Sequence, residues 1–166
     1  MSAPIIRFSA VDRDGRTLDC VCEVDEQHEL RDADDIPELD DFNGLREPYE
    51  TASVREWTFR ATPADYLGDD WYEVVVQELD HTRVQVTSAI NHLGPEYQRR
   101  GIGPALYRKI HDHLRMTVQS SRGSLDTGSS DGTGEFRSDD GNRIWNALVS
   151  MGVAEYVLDA DTYLIP

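Results

Sequence analysis

The sequence is poor in lysine and has no long apolar run. Lys109 is the only lysine among sixteen basic residues, which stand against 32 acidic ones for a formal net charge of −16. Direct binding of DNA or RNA is disfavoured, because phosphate binding needs a basic surface. No apolar stretch approaches the length of a transmembrane helix, and residues 1–13 lack the apolar core of a signal peptide. We therefore expect no membrane association and a cytoplasmic location.

Cysteine is also scarce, and its placement does not favour a disulfide or a metal site. Cys20 and Cys22 are the only cysteines, and in a strand their spacing puts them on one face with poor geometry for bridging each other. No second Cys/His pair completes a zinc site. His111 and His113 lie two residues apart in a predicted helix and point to different faces. The sequence therefore predicts no metal.

Hydrophobic patterning predicts one domain of mixed secondary structure. With 166 residues and 39 % hydrophobic content, the chain can form a sizeable single core. Alternating or β-branched runs predict strands, and apolar residues at helical spacing predict two helices. The predicted strands are Ile5–Val11, Thr17–Val24, Val54–Ala61, Trp71–Leu79, Arg83–Leu93, Met116–Ser121, Val153–Leu158 and Thr162–Ile165, and the predicted helices begin at Ile102 and at Arg143.

Two segments are predicted to be loops. Glu23–Glu50 contains twelve acidic residues against Arg31 and Arg46, and we expect a partly mobile loop with one or two short helical turns. Such a segment can attract a cationic partner, or it can be a solvated, self-repelling surface. Residues 122–141 are rich in Gly, Ser, Thr and Asp and are predicted to form a long loop, either a lid or an insertion.

The most informative stretch is a basic glycine loop between a strand and a helix. The sequence Gln98-Arg-Arg-Gly101-Ile-Gly103 follows a β-branched run, and Pro104 suits the first turn of the helix that comes next. Glycines allow a sharp bend and a close approach to a ligand. The free amides of a helix start bind phosphate oxygens. Residues 97–122 hold six basic residues and one acidic residue, Asp112, so an anionic ligand is favoured over a merely solvated helix face.

The residues argue against two common phosphate sites. A dinucleotide fingerprint needs a third glycine where this chain has Leu106, and a P-loop needs Gly-Lys-Ser/Thr, whereas Lys109 lies within the helix. The segment instead resembles motif A of the GNAT superfamily of acyl-CoA N-acyltransferases, whose pattern is Gln/Arg-x-x-Gly-x-Gly/Ala. The preceding Leu93-Gly-Pro95-Glu-Tyr97-Gln98 is also similar to the family's entry sequence. The resemblance is clear over about residues 84–166.

This resemblance implies an α+β fold with a mixed, mainly antiparallel sheet, a splayed strand pair, flanking helices and a final helix plus hairpin. It implies acetyl-CoA as cosubstrate, with its pyrophosphate at the loop and its pantetheine arm along the strand before the loop. The residues that match the family's cofactor-binding positions are Asn91, Leu93, Gln98, Arg99, Arg100, Gly101, Ile102, Gly103, Ala105 and Asn142. Asn142 is equally well explained as a helix N-cap.

Catalysis in the family is direct attack by an amine on the thioester, which needs a base and commonly uses a Tyr as acid. Leu148 stands where that Tyr is expected and cannot donate a proton. Tyr156 and Tyr163 are the alternative acids, although either can simply pack against the sheet. His92 and Glu78 are the candidate bases, although a strand His is often structural.

Three hypotheses remain open. The first is a cytoplasmic N-acetyltransferase that acts on a primary amine, either a cationic small molecule or a protein amine. The second is a catalytically silent GNAT-fold protein that binds CoA or a partner. Leu148 at the position of the Tyr and the acidic segment Glu23–Glu50 suggest it. The third is an acidic mimic of nucleic acid that occupies a basic groove on a partner. The resemblance also allows a homodimer formed through a strand edge or the terminal hairpin.

Overall fold

The computed structural model describes residues 3–32, 51–121 and 139–166, and in these ranges it contains eight strands and two helices. The strands are β1 (Ile5–Val11), β2 (Thr17–Asp32), β3 (Thr51–Pro63), β4 (Tyr72–Asp80), β5 (Arg83–Asn91), β6 (Thr117–Gln119), β7 (Glu155–Val157) and β8 (Thr162–Ile165). The helices are α1 (Ile102–Leu114) and α2 (Asp139–Ser150). None of the described helices is long and apolar enough to cross a membrane.

All eight strands belong to one sheet, in the order β1-β2-β3-β4-β5-β6-β8-β7. Neighbouring strands are antiparallel except for β5 and β6, which are parallel and are joined through the crossover helix α1. The fold is therefore α+β with a mainly antiparallel sheet, as the sequence predicted. The final helix α2 is followed by the hairpin β7–β8, which places β8 between β6 and β7.

One face of this sheet forms the core, and we call it the inner face. Cross-strand pairing brings its apolar residues into continuous rows: Phe59 lies opposite Val74 and Val24, and Trp57 lies opposite Val76. Helix α1 covers this face with Ile102, Leu106, Tyr107 and Ile110, which are all buried. Along each strand, side chains alternate between the inner face and the opposite, outer face. The polar residues of the strands therefore lie on the outer face.

Aromatic side chains fix the two helices to each other and to the end of the sheet. The rings of Tyr107 on α1 and Trp145 on α2 meet edge to face with centroids 5.3 Å apart, and Trp145 stacks on Tyr163 of β8 at 5.8 Å. Trp145 is 1 % exposed. Burial without any charge nearby to compensate raises the pKa of the Tyr107 hydroxyl well above its usual value. These contacts hold α2 over the strands that follow α1.

The prediction of a loop is wrong for residues 25–32, which continue the predicted strand Thr17–Val24. Strand β2 continues to Asp32 and pairs with β3 as far as Asp32 opposite Thr51. The pairing of β3 with β4 begins only at Glu56, so the far end of β2–β3 is a two-stranded ribbon. Residues 26–28, where this ribbon begins, are exposed, and its sequence shows none of the apolar alternation that marks a half-buried strand. The rest of the predicted acidic loop, residues 33–50, lies outside the described residues.

Other boundaries differ from the predictions by a few residues. Helix α2 begins at Asp139 rather than Arg143, so residues 139–141 are helical and not part of the predicted loop, while 122–138 lie outside the described residues. Consequently Asn142 lies inside the first turn of the helix, and its interpretation as an N-cap is wrong. Strand β6 is limited to Thr117–Gln119, within the predicted Met116–Ser121. The predicted helix α1 and strands β1 and β8 are confirmed.

Both cysteines are free and lie on the inner face of β2, at 2 % and 0 % exposure for Cys20 and Cys22. Burial raises their pKa values, to about 11 for Cys20 and about 12 for Cys22. Since the thiolate is the reactive form, both behave as small apolar residues at neutral pH.

Candidate functional site

The glycine loop leaves the end of β5 through a short 3-10 turn, Pro95–Tyr97. The Leu93 amide donates to the side chain of Asn91, and the amides of Tyr97 and Gln98 donate to the carbonyls of Gly94 and Pro95. Arg99 and Gly101 then adopt left-handed backbone conformations, with φ of 59° and 80°. The chain reverses there and enters α1, so the sequence motif forms one compact turn at the carboxyl end of β5.

The two motif glycines are required by contacts within the protein. A Cβ atom at Gly101 would overlap the carbonyl oxygen of Val11 at the end of β1, in addition to straining the left-handed backbone. A Cβ atom at Gly103 would lie 2.8 Å from the hydroxyl of Tyr72 and 3.0 Å from Ile144 of α2. We expected the glycines to allow close approach of a ligand, whereas the described contacts are with β1, β4 and α2.

The start of α1 retains amides that can bind an anion. The first intrahelical hydrogen bond runs from the Ala105 amide to the Gly101 carbonyl. The amides of Ile102 and Gly103 therefore have no acceptor within the helix, and Pro104 has no N–H to satisfy. The side chain of Ile102 is 3 % exposed and belongs to the core, and Ala105 packs against that core, so both can serve a ligand only through the backbone.

The two arginines of the motif differ in their surroundings. Arg99 and Gln98 are exposed, and Arg99 makes no ion pair with any described residue. Arg100 is partly buried, and its Nε lies 3.5 Å from a carboxylate oxygen of Asp12, which is 9 % exposed. The other carboxylate oxygen of Asp12 accepts the amides of Asp14 and Arg16 in the β1–β2 turn. Arg100 therefore anchors the loop to β1–β2, and Arg99 is the cation best placed for an external anion.

Within residues 3–32, 51–121 and 139–166, strand β5 has a partner on its β6 side for only part of its length. The pairing with β6 covers Arg83–Gln85 opposite Thr117–Gln119. Residues 86–91 continue along β4 without a recorded β6 partner among the described residues. In a strand, alternate residues direct their N–H and C=O groups toward each neighbour. The open edge of β5 consequently offers backbone donors and acceptors directly before the glycine loop. Leu93 is 3 % exposed and its amide already donates to Asn91, so it can serve a ligand only through its carbonyl.

The two candidate bases lie at opposite ends of β5. His92 is exposed beside Trp71, with ring centroids 6.5 Å apart, and its amide donates to the Trp71 carbonyl. Glu78 is paired opposite Val84, near the beginning of β5, and its carboxylate meets the Nε of Arg55 at 2.5 Å. Val84 and Asn91 are separated by roughly 23 Å of extended strand. A single reacting atom can therefore use His92 or Glu78 but not both, and Glu78 is already engaged in an ion pair.

The two candidate acids lie on the terminal hairpin. Tyr156, on the edge strand β7, donates its hydroxyl to Asp161 at 2.7 Å. Tyr163, on β8, donates to the side-chain oxygen of Asn146 at 2.7 Å and exchanges two 2.9 Å hydrogen bonds with Ser120. Ser120 follows the last β5–β6 pair, Gln85–Gln119, so Tyr163 lies at the level where that pairing ends. Two strand spacings, roughly 10 Å, separate it from β5.

Helix α2 supplies no hydroxyl at the position where the family carries its Tyr. Leu148 is fully buried and packs in the core. Two phenols contact the helix through Trp145: Tyr107 meets its ring edge to face, and Tyr163 stacks on it. Asn142 is half-buried in the first turn of α2. No cluster of three or more metal-ligating residues occurs within residues 3–32, 51–121 and 139–166.

The structure also contains an open groove of about 420 Å³ on the outer face of the sheet, which the sequence did not reveal. Strands β1–β3 form its floor, and residues 68–71 form a lip along one side. The residues that line it are Ile5, Val21, Glu23, Arg60, Thr62, Gly68, Asp69, Asp70 and Trp71. They come from four separate segments, so only the strand register brings them together. The single local signal is the acidic pair Asp69-Asp70 beside a tryptophan.

The lip of the groove is joined to the segment that leads into the glycine loop. Tyr66 and Tyr97 meet edge to face with ring centroids 5.4 Å apart, and Trp71 meets His92 in the same manner. The pKa of Tyr66 is raised by lost hydration and then by the charges of Asp70, Glu96 and Asp69 together with neighbouring Tyr97. The groove, His92 and the glycine loop therefore form one continuous region of the surface.

No family model, curated protein or solved structure matches this chain.

Proposed function

We propose that this protein is an N-acyltransferase that moves an acetyl group from acetyl-CoA to a primary amine. The observation that carries the proposal is the edge of β5 that no described strand covers after Gln85, which runs directly into a basic glycine loop and the start of α1. A CoA ester has an elongated amide-containing arm and a pyrophosphate. The open strand edge suits the first, and the loop suits the second.

Each part of the ligand would have a defined counterpart. The amides of Ile102 and Gly103 and the guanidinium of Arg99 would face the pyrophosphate, with Gln98 beside them. The backbone of β5 up to Asn91 and Leu93 would pair with the arm. Arg100 would contribute indirectly, because its contact with Asp12 holds the loop in position.

The reaction needs one proton removed and one returned. The amine nitrogen bonds to the thioester carbonyl carbon, the carbon–sulfur bond breaks with its electron pair on sulfur, and the amine proton leaves. His92 is the base that the geometry favours, since it is exposed at the end of β5, whereas Glu78 is paired with Arg55. Tyr163 lies where the β5–β6 pairing ends, with six residues, or roughly 20 Å, of β5 between that point and His92, so it cannot serve the same thioester, and the departing thiolate takes its proton from water.

A silent CoA-binding protein is the second candidate, favoured by the buried Leu148. The two are separated by turnover: both bind acetyl-CoA, but only the enzyme releases free CoA thiol when an amine is supplied. An acidic nucleic-acid mimic rests on the net charge of −16 and on residues 33–50, which lie outside the described residues. That hypothesis stays a prediction, as does a homodimer.

The first test is calorimetric titration of the protein with acetyl-CoA. We expect micromolar affinity, about −8 kcal/mol, and at least tenfold weaker binding by Arg99→Glu, because the new carboxylate repels the pyrophosphate. Arg108→Glu is the matched control, since Arg108 is an exposed cation on α1 beyond its first turn. Arg100→Glu is a poorer probe, because it also disrupts the contact with Asp12. Equal affinity of Arg99→Glu and wild type would remove the loop from the cofactor site.

A further inference from the structure

The described residues that line the outer-face groove carry an excess of negative charge. Glu23, Asp69 and Asp70 line it, and none of these carboxylates forms an ion pair with a described residue. The cation among the lining residues, Arg60, is already engaged: its Nε lies 3.1 Å from Glu73. A ligand that enters this groove therefore meets three carboxylates that no described residue holds in an ion pair.

The same groove has an apolar side that a bare inorganic cation would not use. Ile5 is 62 % exposed and Val21 lies beside it on the floor, while the indole of Trp71 closes the lip. The indole is held in place, because its N–H donates to Glu73 at 3.2 Å and the Arg60 guanidinium packs over its ring at 5.5 Å. Apolar walls combined with a few placed charges are typical of sites for small organic molecules, and about 420 Å³ suits one.

The carboxylates stand on two sides of the groove. Glu23 projects from the floor, opposite Arg60 in the β2–β3 register, whereas Asp69 and Asp70 belong to the lip. A chain of methylenes with an ammonium near each end would pair with carboxylates on both sides, and its methylenes would lie along Ile5 and Val21.

We infer that this groove binds a small aliphatic di- or triamine. This polyamine is also the acyl acceptor, an assignment that rests on the proposed acyl transfer. The lip residue Trp71 contacts His92 at the end of β5, which brings the groove to the proposed base. The amino group nearest His92 would lose its proton there and attack the thioester carbonyl carbon of acetyl-CoA. The carbon–sulfur electron pair then leaves with sulfur, and the product is a monoacetylated polyamine and CoA.

The groove is tested by calorimetric titration with spermidine, without acetyl-CoA, in 150 mM NaCl. The salt screens attraction to the acidic surface as a whole. We expect saturable one-to-one binding, weakened at least tenfold in the double variant Asp69→Asn/Asp70→Asn. The matched control is Glu155→Gln/Asp159→Asn, which removes two exposed carboxylates from the far hairpin. Equal weakening in both variants, or no saturable binding to the wild type, overturns the groove assignment.

The acceptor role is tested separately by release of CoA thiol from acetyl-CoA with spermidine. We expect Asp69→Asn/Asp70→Asn to raise KM for spermidine at least tenfold while its affinity for acetyl-CoA stays that of the wild type. Saturable spermidine binding without turnover would retain the groove and reject the acyl transfer. Turnover with an unchanged KM in the double variant would retain the acyl transfer and reject this groove as the acceptor site. Circular dichroism of both variants checks that they fold, and Asp69→Glu/Asp70→Glu should restore the wild-type KM.

Discussion

The inner and outer faces of the same sheet are stabilised by different physics. The inner face is an uninterrupted apolar surface on which Phe59, Val74, Val76 and Val84 have no exposure at all. The outer face carries ion pairs between β3 and β4. Arg60 pairs with Glu73, and Arg55 pairs with Glu78 farther along the same two strands. Burial of apolar area supplies most folding free energy, whereas exposed ion pairs supply little. The inner face therefore decides whether the chain folds, and the outer face is free to carry specificity.

The glycine loop lies where these two environments meet. Its glycines pack inward against Val11, Tyr72 and Ile144, while Arg99 and His92 face solvent. A substitution at a loop glycine can thus change folding, whereas a substitution at Arg99 or His92 can change ligand binding. The predictions below separate the two contributions, starting with the largest.

Two tryptophans compare the faces directly. Trp145 is 1 % exposed between Tyr107 and Tyr163, and Trp71 is 37 % exposed on the outer face. We expect Trp145→Ala to lower the free energy of unfolding by about 3–5 kcal/mol, because it leaves a large cavity. Trp71→Ala should cost about 1 kcal/mol or less, since water already reaches much of the indole. Urea denaturation followed by circular dichroism measures both, and equal costs would contradict the division into two faces.

Two glycines with the same backbone conformation compare packing with strain. Gly101 and Gly152 have φ of 80° and 74°, but only Gly101 has a neighbour, Val11, where a Cβ would be placed. Gly152→Ala should cost about 1 kcal/mol, the penalty for a left-handed alanine. Gly101→Ala should cost about 3 kcal/mol, because overpacking adds about 1–3 kcal/mol to that penalty.

Thermal or urea unfolding of both glycine variants provides the measurement. Similar losses would mean that β1 moves aside readily and that Gly101 is retained for its backbone angle alone. In that case acetyl-CoA binding by Gly101→Ala becomes a usable probe of the loop, which it is not if the variant is strongly destabilised.

The inner face could be predicted from the sequence because burial leaves a periodic signal. Apolar residues at helical spacing predicted that α1 begins at Ile102, and an alternating run predicted the strand Ile5–Val11. The outer face leaves no such signal, since its partners meet only through strand register. Arg55 and Glu78 are 23 positions apart, and nothing local to either residue indicates their contact.

The candidate site was predictable in part for the same reason. The glycine motif is a local pattern, so its position at the end of β5 could be inferred before the structure. The contact of Arg100 with Asp12 and the groove along β1–β3 depend on residues far apart in sequence. The extension of β2 over residues 25–32 was missed because cross-strand hydrogen bonds, rather than apolar residues, define it.

The smallest expected effect is the coupling between Arg55 and Glu78. Their side chains are 37 % and 18 % exposed, so water reaches the 2.5 Å contact between Arg55 Nε and Glu78 Oε2 mainly from the Arg55 side. A double-mutant cycle with Arg55→Met and Glu78→Gln should give a coupling free energy of about 0.5–1 kcal/mol in urea denaturation. The cycle cancels the change in net charge, which matters in a protein at −16.

The salt dependence of this coupling completes the comparison of the faces. In 1 M NaCl the Debye length falls to about 3 Å, so we expect most of the coupling to disappear, whereas the cost of Trp145→Ala should not fall. A coupling that persists in 1 M NaCl would show that water and ions do not reach Glu78. The carboxylate would then be held in a shielded site on the outer face, and Glu78 would regain its standing beside His92 as a candidate base.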